Sequence, residues 1–359
     1  MGEPEDLLGC SRTVFGVKIL CGLIAPINPQ SSQEDRGFFL TDKEYGKIEG
    51  LGRKMADIRT ALTRGFLVAV ILAGVSSQAF CFPIKAKDDR GKEFEFAEPP
   101  RRIVSLVPTQ TELLFSLGLE EETVGVTSYC SYPQAAGNKE KVGGFAEFDI
   151  KKIIALNPDL ILAFGSVQLP AVEALEKKGK KVFWIYPHTV SDILASIERV
   201  GEITGKVQEG KRLRDAAERK AAALRSAAGA IPDEKRPSIF RVMGMNPPAT
   251  IGADSFQSDV FYLAGGKNAF ADVKKDYFEV DANELLKRNP DVIIICGDDE
   301  KTARQSLLES PVYNKLTAVK NGSMLVIPCE LICRPGQRVI ETAERIARYL
   351  HPDKFAGKP

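Results

Sequence analysis

An internal repeat limits what this chain can become. Residues 149–162 read Asp-Ile-Lys-Lys-Ile-Ile-Ala-Leu-Asn-Pro-Asp-Leu-Ile-Leu. Residues 281–294, 132 positions later, read Asp-Ala-Asn-Glu-Leu-Leu-Lys-Arg-Asn-Pro-Asp-Val-Ile-Ile. Each copy has the pattern of a short helix, a turn at Asn-Pro-Asp and a buried strand. The segments downstream also match: residues 175–179 lead into a strand at 182–185, and residues 316–322 into one at 324–327. Two such units in the same order imply two related lobes. Strands that alternate with helices imply a parallel sheet covered on both faces. The expected fold is therefore α/β, with two related lobes that each hold a parallel sheet.

Between the copies lies the longest helical pattern, residues 189–228. Thr189 and Asp192 have capping-box spacing. Ile193, Leu194, Ile197, Val200 and Ile203 recur at helical intervals up to a break at Thr204-Gly205. Val207, Leu213, Ala217, Ala221 and Leu224 then share one face of a second run. Gly229 is the expected residue just past the helix end, and Pro232 stops continuation. One helix over 206–228 spans about 35 Å, enough to be a single rigid strut joining the lobes.

Residues 55–79 have the pattern of a signal peptide. Arg59 and Arg64 precede an apolar run at 65–75, and Ser77-Gln78-Ala79 offers a cleavage site before Phe80. An uncleaved anchor is the competing reading. Residues 1–54 lack sustained periodicity and read as an over-extended start or a disordered extension. The domain reading is then a first lobe with a leading hairpin at 80–188, a helical segment at 189–229 and a second lobe at 230–359. Export leaves five cysteines, Cys81, Cys130, Cys296, Cys329 and Cys333, and no spacing among them demands a disulfide.

In open parallel sheets, ligands sit beyond the carboxyl ends of the strands. Those ends carry Pro108-Thr109, the loop 127–133 with Tyr129, Cys130 and Tyr132, and also Phe164 and Tyr186. In the second half they carry Asn246 and the loop 328–335. Aromatic faces there suit a large, flat, partly apolar ligand, and Arg334 and Arg338 suit carboxylates or phosphate. Core packing is the competing reading for Phe164 and Tyr186. Cys329 and Cys333 form the one close thiol pair, with Cys130 expected to face it across the cleft. Adventitious loop cysteines are the preferred reading of that pair, over a metal or redox site.

Several segments carry a family resemblance. Arg102-Ile-Val-Ser-Leu-Val-Pro108-Thr-Gln-Thr111-Glu112 resembles the opening signature of the cobalamin and iron-siderophore periplasmic binding proteins. The resemblance continues in Val124-Gly-Val-Thr-Ser-Tyr129-Cys-Ser-Tyr132-Pro133 and Val142-Gly-Gly-Phe145. In the second half it is carried by Asn246-Pro-Pro248-Ala-Thr250, Ala264-Gly-Gly-Lys-Asn268 and Arg334-Pro-Gly-Gln-Arg338. It covers roughly residues 84–350, and the Tyr-x-x-Tyr-Pro loop is most similar to corrinoid binders. It implies two Rossmann-like lobes joined by a rigid helix, in a monomeric carrier exported to the periplasm. Such a carrier captures a cobalamin-type ligand and delivers it to the permease and ATPase of an ABC importer. Ferric siderophores and haem are the alternative cargoes, with Tyr129 or Tyr132 as axial ligand in the last case.

The implied ligand-binding residues are Pro108, Thr109, Tyr129, Cys130, Phe145, Asn246, Tyr277, Glu330, Leu331 and Arg334. Tyr129 would lie against the corrin or its base, and Glu330, Leu331 and Arg334 would form the loop over it. Leu331 stands where the family places an aromatic. The family's docking glutamates match Lys151 and Asn283 here, so Glu147 and Glu284 nearby are the substitute docking acids.

Other classes fare worse. A histidine-rich metal site is excluded by the count of two histidines, His188 and His351, and no resident cofactor or metal is expected. No G-x-S-x-G, G-x-x-x-x-G-K or G-x-G-x-x-G after a strand is present, so no catalytic residues and no enzyme activity are expected. The near-balanced charge, formally +1, gives no footprint for nucleic acid. A periplasmic enzyme or sensor built on the same fold is the reading of another class.

Overall fold

The computed structural model describes residues 82–355. The expected leader, residues 1–54 and Cys81 lie outside the described residues. Ala79–Pro359 forms one unit of the chain. A hairpin comes first, β1 (Ile84–Lys87) antiparallel to β2 (Glu93–Phe96). Its alternation buries Phe94 and Phe96, and Phe94 meets Phe183 at a ring distance of 5.3 Å.

The first lobe holds β3 (Ile103–Ser105), β4 (Thr123–Val126), β5 (Leu160–Phe164) and β6 (Val182–Ile185). They form one sheet in the order β4-β3-β5-β6, all parallel. Its helices are α1 (Pro108–Ser116), α2 (Ile150–Ala155) and α3 (Leu169–Glu176). After α4 (Val190–Ile203) and α5 (Val207–Gly229), the second lobe repeats the plan. Strands β7 (Ser238–Val242), β10 (Lys267–Asn268), β12 (Val292–Cys296) and β13 (Met324–Ile327) form a parallel sheet in the order β10-β7-β12-β13. A small antiparallel sheet of β8 (Gly244–Met245), β9 (Pro248–Ile251) and β11 (Tyr277–Glu279) is added. The helices here are α6 (Phe256–Leu263), α7 (Ala282–Arg288), α8 (Glu300–Glu309), α9 (Thr317–Lys320), α10 (Cys329–Ile332), α11 (Val339–Leu350) and α12 (Pro352–Phe355).

The Asn-Pro-Asp repeat has a physical cause. Asn157 and Asn289 both take the left-handed conformation, at φ 45° and 41°. Asparagine tolerates that region where most residues do not. The following proline cannot continue a helix. The aspartate then clamps the neighbouring strand. Asp159 accepts the backbone N–H groups of Arg101 and Arg102 at 2.8 and 3.0 Å. Asp291 accepts the N–H and hydroxyl of Ser238 at 2.8 and 2.6 Å. The motif therefore ends a helix, reverses the chain and sets the next strand beside β3 or β7.

Both sheets are buried on both faces, which is why their strands read as unbroken apolar runs. Alternate residues separate two cores. Ile103, Leu160, Leu162, Phe183 and Ile185 face a cluster that runs through α4 and α5 into the second lobe at Ile239, Val292, Ile294 and Ile327. The opposite faces have separate clusters, around Ile153 and Ile161 in the first lobe and Phe240 and Leu285 in the second.

The connection follows the expected break. Thr189 and Asp192 form the reciprocal capping box, α4 ends at Thr204, and Gly205 takes φ 75°. At its 23 residues, α5 extends about 35 Å. It packs on α4 and touches α6 and α11 of the second lobe. A Cβ on Gly201 would lie 2.9 Å from the Cα of Gly210, so α4 and α5 meet backbone to backbone there. One expectation is corrected. Gly229 is the last helical residue rather than a left-handed residue past the end, and Ala230 caps in the right-handed region. The buried Arg236 guanidinium donates to the Ala228 carbonyl at 3.0 Å, satisfying the helix end without a glycine reversal.

The helix starts of the repeat are also fixed. Asp149 accepts the Lys152 N–H, and Asp281 accepts those of Asn283 and Glu284. Glu284 reaches forward to Arg288 at 2.8 Å.

Candidate functional site

The carboxyl ends of β3, β5 and β13 converge on a cavity of about 380 Å³ between the lobes. The first lobe contributes Val107, Pro108, Thr109, Tyr129, Phe145 and Phe164. The second contributes Cys329, Glu330, Cys333, Arg334 and Pro335. A larger cavity of about 600 Å³ is bounded by Phe115, Tyr132, Leu213 and Arg338. It faces the α5 strut rather than the strand ends, so the smaller cavity is the candidate site.

The first-lobe wall is aromatic and open. Tyr129 is 60% exposed and Phe145 42%. Exposed aromatics gathered at one mouth mark a contact surface. The buried Gln168 holds two of the rings in place through their backbones. Its side-chain oxygen accepts the Phe164 N–H at 2.9 Å, and its amide donates to the carbonyls of Phe145 at 2.9 Å and Leu106 at 2.8 Å. The Thr109 hydroxyl is buried in the same wall without a partner. It is a polar contact open to a ligand.

The lobes are held together on both sides of the cavity. Glu112, a buried residue of α1, accepts from Arg334 at 2.6 Å and from two atoms of Arg338 at 2.9 and 3.0 Å. Arg338 also reaches Glu330 at 3.3 Å and lies 4.7 Å from the Tyr132 ring. Gln337 donates to Ser116 at 2.7 Å, and a Cβ on Gly336 would come within 2.6 Å of Thr109. Glycine there lets the second-lobe backbone approach the first. On the other side, the Tyr186 hydroxyl donates to Asp276 at 2.5 Å, and His188 Nδ1 lies 2.8 Å from the Asp254 carbonyl. Burial, then the bond to Asp276, pushes the Tyr186 phenol up to about 12, so it remains a donor.

Of the residues expected at the site, Pro108, Thr109, Tyr129, Phe145, Glu330 and Arg334 line the cavity. The other four do not. Cys130 turns inward, 1% exposed, with its sulfur 3.1 Å from both the Thr111 and Thr127 hydroxyls. It does not face the second-lobe thiols. Leu331 packs in the shared core beneath the loop. Asn246 is exposed on the β8–β9 hairpin, and Tyr277 is exposed on β11 next to Asp276. Phe164 and Tyr186 are half-buried: Phe164 lines the cavity and Tyr186 bridges the lobes. Arg334 and Arg338 do hold a carboxylate, that of Glu112. Sequence pattern singles out neither Gln168 nor Glu112. For Glu112 the available signal is a carboxylate so near a buried helix start; Gln168 offers none.

The geometry is that of a two-lobed solute-binding protein. The periplasmic binding protein family matches residues 103–331, and this chain belongs to that family of non-enzymatic carriers. It is 28% identical over 319 residues to an uncharacterized ABC transporter substrate-binding lipoprotein of Bacillus subtilis, covering 84% of this chain and 99% of the relative. It is 29% identical over 254 residues to a vitamin B12-binding protein of Photorhabdus laumondii, covering 70% and 88%. Among solved structures, the periplasmic vitamin B12-binding protein of Vibrio cholerae superposes with a TM-score of 0.63 at 26% identity, covering 70% of this chain and 97% of that one.

Proposed function

We propose that this protein captures a corrinoid in the cleft and delivers it to an ABC importer. The observation that carries this reading is the open aromatic wall of Tyr129, Phe145 and Phe164 at the strand ends, facing the loop of Glu330 and Arg334. Flat faces of that kind suit a large macrocycle and its base, with Thr109 and Glu330 left for polar groups at its edge. The relatives named for vitamin B12 binding support the choice. A corrinoid is bulkier than the cavity, so it enters with the Arg334–Glu112 contact parted. The shared core through α4 and α5 keeps that opening small.

Delivery places the protein outside the inner membrane after export on the 55–79 leader. Docking to the permease then uses acids near the two helix starts. Glu147 is exposed and Glu284 is half-buried against Arg288. Glu279, exposed on β11, stands 132 residues after Glu147, at the matching position of the repeat.

Calorimetric titration of the purified protein with cyanocobalamin, a ferric hydroxamate siderophore and haemin tests the cargo. Micromolar or tighter binding of cyanocobalamin is expected. Preference for the siderophore or haemin would move the assignment within the family, and binding of none would overturn it.

A further inference from the structure

Helix α1 begins at the cavity with its first donors uncapped. Val107 precedes it, and that apolar side chain supplies no cap. Pro108 has no N–H. The Thr111 N–H makes the first backbone bond of the helix, to the Val107 carbonyl at 3.2 Å. The N–H groups of Thr109 and Gln110 stand before it, at the positive end of the helix. Val107, Pro108 and Thr109 all line the cavity. A helix start alone does not define a site, but a second observation points the same way. Thr109 is 5% exposed, and its hydroxyl is buried in the same wall without a partner. The second-lobe loop covers it, since a Cβ on Gly336 would lie 2.6 Å from the Thr109 Cγ2. The hydroxyl is sealed while the lobes touch and meets the cleft when that loop lifts.

Arg334 stands on the same loop. Its one carboxylate partner is Glu112, at 2.6 Å. Arg338 shares that carboxylate but also has Glu330, 3.3 Å away on its own lobe. When the lobes part, Arg338 keeps Glu330, and Arg334 loses its only counter-charge among the described residues. We propose that the start of α1 is a subsite for an oxyanion carried by the cargo. The anion accepts from the Thr109 hydroxyl and from the N–H groups of Thr109 and Gln110, and it takes over Arg334 from Glu112. This rests on the carrier reading of the cleft and names the group by which the cargo is recognised. A phosphodiester or a carboxylate has the required chemistry. Cobalamin carries one such group, the phosphodiester that joins the macrocycle to its base, and haem carries carboxylates. Tyr129, the ring suited to the base, lines the same wall as Thr109. Glu330 also lines the cavity, and Arg338 answers its charge.

The test is calorimetric titration of the purified protein with cyanocobalamin, dicyanocobinamide and haemin. Dicyanocobinamide keeps the corrin ring and lacks the phosphodiester, ribose and base. Thr109→Val keeps the shape of the side chain and removes the hydroxyl. Its Tm is expected to match the parent, because no bond within the protein is lost. Its affinity for cyanocobalamin is expected to fall at least about tenfold, the loss of one hydrogen bond to a charged group, with dicyanocobinamide affinity unchanged. Thr109→Ser keeps the hydroxyl and recovers most of that affinity. Arg334→Gln shows the same selective loss for cyanocobalamin. If the parent takes haemin in place of the corrinoids, the loss in Thr109→Val appears with haemin, and the oxyanion is a carboxylate. Equal losses for the two corrinoids in either variant, or no loss of the preferred ligand in Thr109→Val, would overturn the subsite and leave the carrier reading standing. If the parent binds cyanocobalamin but no dicyanocobinamide, equal cyanocobalamin affinities of the Val and Ser variants overturn it. Binding of none of the three ligands would overturn both.

Discussion

Strands β5 and β12 are the same element made twice. Each has five residues, follows an Asn-Pro-Asp turn and lies 132 positions from its counterpart. Yet β5 ends at Phe164 and β12 at Cys296. Around Phe164 the first lobe gathers Tyr129 and Phe145, and Gln168 holds the backbones of Phe164 and Phe145. Across the cavity the second lobe has the thiols of Cys329 and Cys333, with the buried Arg241 donating to the Cys333 sulfur at 3.3 Å. Everything before the strand end answers to requirements that both lobes share: a left-handed residue to close a helix, a carboxylate to clamp the neighbouring strand, an apolar run buried on two faces. The side chain of the last paired residue answers to none of them. The mouth was therefore free to diverge where the scaffold was not.

The strongest way to break the comparison is to remove what the lobes share across the cleft. Glu112→Gln leaves the half-buried Arg334 without its carboxylate and Arg338 with only Glu330, 3.3 Å away. Removing one partner of a buried pair costs about 3–5 kcal/mol. These guanidiniums are 19% and 21% exposed, which reduces the cost. A loss of about 2–3 kcal/mol is expected, read as a Tm lower by about 5–10 °C. An unchanged Tm in calorimetric scans would mean that the core through α4 and α5 alone sets how the lobes sit.

The next test weighs the two mouths. If the aromatic wall carries the cargo, Tyr129→Ala weakens cyanocobalamin binding by an order of magnitude or more. Stacking of a base on an aromatic ring is worth about 1–3 kcal/mol. Tyr129 is exposed, so the variant keeps its fold and the change is read cleanly by calorimetry. Equal affinity for variant and parent would remove Tyr129 from the site and shift the weight to the second lobe.

These tests reflect a division in what the residues alone disclose. The repeat, both parallel sheets, the capping box and the strut are legible because helix periodicity, turn chemistry and two-sided burial leave local patterns. Six of ten expected contact residues line the cavity, since strand ends can be located from the strands. Cys130 and Leu331 lie elsewhere than expected because neither burial nor direction at a loop is fixed by local pattern. Leu331 lies within a one-turn helix whose neighbours decide which side is covered. The Glu112 clasp and the Arg241–thiol cluster stay hidden for a different reason. Their partners are more than ninety positions apart or on opposite lobes, and no spacing in one chain reveals such a meeting.

The smallest expected effect sharpens the comparison most, because it separates two residues with the same backbone. Asn157 and Asn289 differ by 4° in φ. Glycine suits that conformation, so backbone alone predicts that Asn→Gly is tolerated at both. The side chains differ. Asn157 Oδ1 receives only the exposed Lys180 ammonium at 3.2 Å, worth little in water. Asn289 accepts the Thr317 N–H at 3.0 Å and donates to the Thr317 hydroxyl at 3.0 Å, tying the turn to the start of α9. Each such bond contributes about 0.5–1.5 kcal/mol net. Urea unfolding should therefore place Asn157→Gly within about 0.5 kcal/mol of the parent and Asn289→Gly about 1–2 kcal/mol below it. Equal losses at the two sites would mean that the turn, not the contact to α9, is what asparagine supplies in the second lobe.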